Sequence, residues 1–126
     1  MLNTREFMAV LPAGDLKRAR AFWADKLGLE PAEERGGGLV YRSPGGAGLL
    51  IYETQNAGSA KNTQFCWVTP DVEAEVAELR GRGVVFEEYD LPGLKTENGI
   101  ATTDGEKGAW FKDSEGNILC VSQLVE

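Results

Sequence analysis

One pattern occurs twice in this chain of 126 residues, and that duplication limits what it can fold into. An Asp opens an amphipathic helix at Asp15, in DLKRARAFWADKLG, and another at Asp71, in DVEAEVAELRGRG. Each Asp follows an apolar, strand-like run, FMAVLPAG in the first case and TQFCWVTP in the second. The two Asp residues lie 56 positions apart, close to half the chain. A repeat of this size points to one supersecondary unit used twice. A second constraint is the lack of any histidine. It removes the commonest metal ligand and the commonest general base at neutral pH.

The length suits one ordinary domain that can bury a core without disulfides or a structural metal. Twenty acidic residues stand against 13 basic ones, a net charge of −7. That balance argues against nucleic acid and anionic membranes, where affinity comes from neutralising phosphates, and it is compatible with a cationic small ligand. The N-terminal MLNTREFM has no apolar stretch of signal-peptide length, and no run approaches a membrane span, so the expected location is cytoplasmic. The two cysteines, Cys66 and Cys120, lie in apolar strand patterns without CxxC spacing and read as reduced and packed.

Residues 7–11 read as a strand, and Gly14-Asp15 ends it. Leu16, Ala19, Trp23 and Leu27 then recur at helical spacing, with Gly28 placed to end the helix. Residues 30–34, 39–42 and 49–53 follow as strands, separated by Gly36-Gly37-Gly38 and Pro44-Gly45-Gly46. A polar linker, 55–62, divides modules of about 1–54 and 63–126. In the second module 63–68 is a strand, and Val72, Val76 and Leu79 mark the buried side of a helix. Strands at 84–88, 109–112 and 118–123 follow. DLPGLKTENG reads as a long loop. Each half is therefore βαβββ, and the class is α+β with about eight strands and two helices.

This order of residues resembles the vicinal oxygen chelate superfamily, which includes glyoxalase I, bleomycin-resistance proteins and extradiol dioxygenases. The resemblance rests on Asp15-Leu16…Ala19…Phe22-Trp23…Leu27-Gly28 in the first half. In the second it rests on Asp71-Val72…Leu79…Gly83-Val84 and Trp110-Phe111-Lys112-Asp113…Gly116-Asn117. It implies paired βαβββ modules in a cupped, mostly antiparallel eight-stranded sheet, with an open cleft inside and the helices outside. It also implies a homodimer. The positions at which metalloenzyme members carry ligands fall here on Met8, Gln64, Cys120 and, near Leu50 or Ile51, an aliphatic side chain with Glu53 the nearest carboxylate. Such residues do not form a hard-cation site, which needs carboxylates and imidazoles. No metal and no cofactor are expected.

Strand alternation then selects the cleft. If Met8 faces it, so does Val10, while Phe7, Ala9 and Leu11 lie under the helices. If Gln64 faces it, so do Cys66 and Val68, while Phe65 and Trp67 pack under a helix. Ile118, Cys120 and Ser122 share one face of the last strand, and Tyr52 and Trp110 are further walls. The expected ligand-binding set is Met8, Val10, Tyr52, Gln64, Cys66, Trp110, Cys120 and Ser122, an apolar surface with a few polar groups. No catalytic residue is assigned. The thiols lack a partner to activate them, and Glu87, Glu88, Asp90, Glu97, Asp104 and Glu106 read as a solvated acidic rim. The short basic run Lys17, Arg18 and Arg20 reads as solvated.

These residues suit a metal-free small-molecule binder of the bleomycin-resistance type. The alternatives are a lyase or isomerase that uses a cleft cysteine or loop carboxylate, and a regulatory domain that binds a protein partner.

Overall fold

A computed structural model describes residues 1–103 and 105–124. The first half runs β1 (Met8–Ala13), α1 (Leu16–Asp25), β2 (Glu33–Arg35), β3 (Gly38–Arg42) and β4 (Gly48–Glu53). The second runs β5 (Phe65–Val68), α2 (Val72–Gly81), β6 (Asp90–Leu91), β7 (Leu94–Glu97), β8 (Ile100–Thr103), β9 (Glu106–Lys112) and β10 (Ile118–Leu124). The class is α+β. The strands form a sheet of four, in the order β1-β4-β3-β2, and a sheet of six, in the order β5-β10-β9-β8-β7-β6. In each, the first strand lies parallel to the last, and the other neighbours are antiparallel.

Both helices start for the same reason. Asp15 accepts a hydrogen bond from the Arg18 N–H at 3.1 Å, and Asp71 accepts one from the Ala74 N–H at 3.1 Å. Each carboxylate satisfies a donor that the first turn cannot pair internally. A second acceptor repeats as well. The Leu16 N–H meets Glu53 Oε1 at 3.4 Å, and the Val72 N–H meets Gln123 Oε1 at 2.8 Å. The end of the last strand in each half thus holds the first helical residue of that half.

Two departures from the sequence reading occur in the second half. DLPGLKTENG is not a loop. It folds into the hairpin β6–β7, turning at Pro92-Gly93, and β7 turns into β8 at Asn98-Gly99. Asn98 and Gly99 both have positive φ, 53° and 81°, the backbone a tight two-residue hairpin requires. The expected strand at 84–88 reduces to one bridge, Phe86 to Phe111, with the Glu87 N–H donating to the Trp110 carbonyl at 2.8 Å. That edge of β9 is already occupied by β8 along 106–109, which leaves few residues free to pair.

One core joins the halves. Leu11, Ala13, Ala19, Trp23, Leu39, Tyr41, Leu49 and Ile51 pack with Val72, Val76, Val84, Phe86, Ala109, Phe111, Leu119 and Val121. Alternation along β1 holds, with Leu11 and Ala13 buried and Val10 52% exposed. Phe7 is a correction. It precedes β1 rather than belonging to it, so the alternation does not reach it, and it is 93% exposed.

Candidate ligand-binding faces

The sheet register gathers the expected residues into two groups. On the first sheet, Met8 lies opposite Gly48, Val10 opposite Leu50, and Pro12 opposite Tyr52, so Met8, Val10, Leu50 and Tyr52 share the face turned away from the core. Val10 and Tyr52 are exposed there. On the second sheet, Cys66, Cys120 and Trp110 form one row across β5, β10 and β9. Ser122 stands beside that row, with its Oγ 3.2 Å from the Cys66 Sγ. Met8 lines one open cavity with Arg35, Arg42 and the 45–48 turn, and Cys66 lines another.

Cys66 is exposed and Cys120 is buried. Burial, reinforced by the neighbouring Cys66, pushes the Cys120 thiol up to about 12. It is therefore a protonated, weakly polar wall at neutral pH rather than a thiolate nucleophile. Trp110 is held at both ends. Its indole N–H donates to Thr63 Oγ1 at 3.0 Å, and its ring meets Tyr89 edge-on at 5.7 Å. Gly108 makes room for it, since a Cβ there would meet the Trp110 ring at 3.2 Å. Sequence reasoning passed over Tyr89, because it lies outside any regular strand and alternation gives it no direction.

Gln64 uses both ends of its amide within the protein. It accepts from the Ile118 N–H at 2.9 Å and donates to Asn117 Oδ1 at 3.3 Å. The described loop acids are exposed or half-buried, and Asp104 lies outside the described residues. Among the described residues, no three Cys, Asp or Glu side chains come together in a way that could hold a metal ion.

The turn from Asp113 to Asn117 does more than reverse the chain. Asp113 accepts from the N–H groups of Glu115 and Asn117, from Asn117 Nδ2 and from the buried Trp23 indole at 3.2 Å. Asn117 Nδ2 also donates to the Pro12 carbonyl at 2.9 Å. Glu115 then reaches the start of α1, accepting from the Gly14 and Asp15 N–H groups at 2.9 Å each and from Arg18 at 2.8 and 2.9 Å. Burial disfavours its charge. Arg18, the Ser114 hydroxyl and the Asp15 N–H outweigh that and hold the carboxyl at about 2. Arg18 is thus committed to the other half of the chain, and Arg20 pairs with Glu34.

A family model described as the Glyoxalase/Bleomycin resistance protein/Dioxygenase superfamily matches residues 7–121. No curated protein matches the chain. Among solved structures, the chain is similar to TnmS3, an antibiotic binding protein from Streptomyces sp. CB03234, with 21% identity over 99% of both chains and a TM-score of 0.75. It is similar to a glyoxalase / bleomycin resistance protein from Catenulispora Acidiphila DSM 44928, with 21% identity over 97% of this chain and 100% of that one and a TM-score of 0.68. A third similar structure is the oxidase ChaP-H2, with 24% identity over 97% and 94% and a TM-score of 0.66. Binding protein and oxidase share this architecture, so function has to be argued from the site. The duplicated capped helices, the matched sheets and a family match spanning almost the entire chain make it a member of the glyoxalase/bleomycin-resistance/dioxygenase superfamily, the vicinal oxygen chelate proteins.

Proposed function

We propose that this protein binds a small molecule without a divalent metal, on the sheet faces turned away from the core. Met8, Val10, Tyr52, Gln64, Cys66, Trp110, Cys120 and Ser122 provide the contacts. One observation carries the reading: those faces leave apolar side chains bare. Val10, Tyr52 and Val68 all stay exposed beside a core that has no further need of them. Val10, Leu50 and Tyr52 lie side by side on the outer face of the first sheet, and apolar residues that are grouped rather than scattered singly mark interaction sites. The net charge of −7 suits a cationic guest. A lyase or isomerase that used Cys120 would need its thiolate, which burial opposes. We read the chain as one cytoplasmic domain of two modules on the βαβββ plan, about 1–54 and 63–126, the second enlarged by the β6–β7 hairpin, that acts as a homodimer with the eight remaining strands cupped as its functional core.

The test is a thermal-unfolding titration with bleomycin as the cationic probe, run in the presence of a metal chelator. The midpoint should rise with ligand as RT ln(1 + [L]/Kd), and mass spectrometry should return the ligand unchanged. Val10→Lys should weaken binding about tenfold or more, since it places a charge of the guest's own sign on an apolar contact. Binding that appears only when metal is restored, or a chemically converted ligand, would overturn the proposal.

A further inference from the structure

The chain has two cysteines, and the fold sets them directly opposite each other. Cys66 on β5 is the register partner of Cys120 on β10, its parallel neighbour. Register partners project from the same face of a sheet. The two thiols therefore stand side by side, close enough that Cys66 strengthens the hold of Cys120 on its proton. Their surroundings differ. Cys66 is exposed on a strand with a neighbour on one side only, and Cys120 is buried. The Ser122 Oγ lies 3.2 Å from the Cys66 Sγ, and Trp110 follows Cys120 as the next member of the row on β9.

Packing accounts for Cys120 but not for Cys66. An exposed thiol buries little and is open to oxidation. A serine there would keep a hydroxyl beside Ser122 without that liability. The spacing says what a thiol pair at this place suits. A disulfide draws its Cβ atoms to about 3.8 Å, whereas neighbouring strands lie about 4.8 Å apart. Metal–thiolate bonds of about 2.3 Å let one two-coordinate ion join sulfurs about 4.6 Å apart, close to the strand spacing. Two sulfurs are too few for zinc, which takes four ligands, and no cluster of three Cys, Asp or Glu occurs among the described residues. They suffice for a soft ion of low coordination number, the kind that thiolates select.

We propose that Cys66 and Cys120 form a two-sulfur site for a soft monovalent cation of the cuprous type. Each thiol releases its proton to solvent as its sulfur bonds the ion, and no electron is transferred. Burial and the charge of Glu106 oppose a free Cys120 thiolate. Neither opposes the bound form, because the ion neutralises the sulfur and Glu106 then attracts the cation. The Ser122 hydroxyl is placed to donate to the Cys66 sulfur. Exposed Cys66 is the point of entry, and buried Cys120 shields the second bond from water. The site does not depend on an organic guest occupying the same face.

The probe is Cu(I) held by excess bicinchoninate, whose copper complex is coloured, in oxygen-free buffer with no guest present. The reduced wild type should withdraw one copper per chain. Cys66→Ser and Cys120→Ser should each lose about a hundredfold or more in affinity, beyond the loss caused by removing an outer partner of a ligand. Copper K-edge absorption on the wild type, which needs no variant to fold, should report two sulfur neighbours. A wild type that leaves the copper with bicinchoninate, or takes one copper per two chains, would overturn the site. So would a copper with fewer than two sulfur neighbours, or a folded Cys120→Ser protein that keeps the wild-type affinity. Bleomycin binding in the presence of chelator is read separately, so failure of either reading leaves the other standing.

Discussion

Glu115 shows how much of this fold rests on single side chains. Its side chain is fully shielded, yet it holds its charge because two N–H groups at the start of α1 and the Arg18 guanidinium all point at it. A carboxyl held at about 2 against an ordinary 4.5 adds stability that is complete above 4.5 and is lost as pH falls toward 2. The Glu115→Gln variant should therefore lose about 2 kcal/mol at pH 7, less than the full shift implies because Arg18 is partly solvated. The gap to wild type should close as pH falls through that window, as read by urea unfolding at several pH values. A constant gap would mean that shape rather than charge is at stake. Nothing in the sequence signals this role, since a lone acid in a surface turn is indistinguishable from any solvated one. The same holds for Tyr41. Its place on a strand was readable, but its hydroxyl, buried without a hydrogen-bond partner among the described residues, depends on what packs around it. For the expected ligand-binding residues, alternation located the faces of Val10, Cys66 and Ser122. It could not foresee that Gln64 would spend its amide on Asn117 and Ile118.

At the level of elements, the reading succeeded where local chemistry decides and failed where pairing does. Asp15 and Asp71 were readable as caps because an Asp before an apolar helical period has one dominant use. The β6–β7–β8 run was missed because LKTE lacks an apolar alternation. The signal was present nonetheless in its turns, Pro92-Gly93 and above all Asn98-Gly99. Val84-Val85-Phe86 misled in the opposite direction. Its composition suits a strand, but the edge it would join is already taken by β8. The Asn98-Gly99 turn yields a prediction. Gly99 has a φ of +81°, and a Cβ there would lie 3.1 Å from the Phe86 Cβ and 2.8 Å from an Arg80 guanidinium nitrogen. Gly99→Ala should cost about 1–3 kcal/mol through backbone strain and crowding. The denaturant midpoint should fall with the slope unchanged. An unchanged midpoint would show that the turn can relax.

For the molecule as a whole, the halves are tied by one core and by the Asp113–Asn117 turn seated on the first half, so the duplication does not make two independent units. The strands β1 and β5 each keep one free edge, and Phe7, Val10, Val68 and Val85 leave apolar surface bare. Free edges and bare apolar residues favour association. We expect sedimentation at micromolar concentration to report twice 13.7 kDa; a species of 13.7 kDa would overturn the homodimer. The sequence by itself determined the duplicated order of elements, both helix caps, the faces of most strands and the lack of imidazole. These follow from nearest-neighbour chemistry and from periods of 2 and 3.6, which need no knowledge of the rest of the chain. Only the tertiary structure decided where Glu115 docks, how far the second sheet extends, that Phe7 stays outside, and that Tyr41, Phe65 and Trp67 gather around Trp23 while the Tyr41 hydroxyl is left unpaired. Each of those depends on which distant backbone or ring arrives at a given place, and close packing settles that across the whole molecule at once.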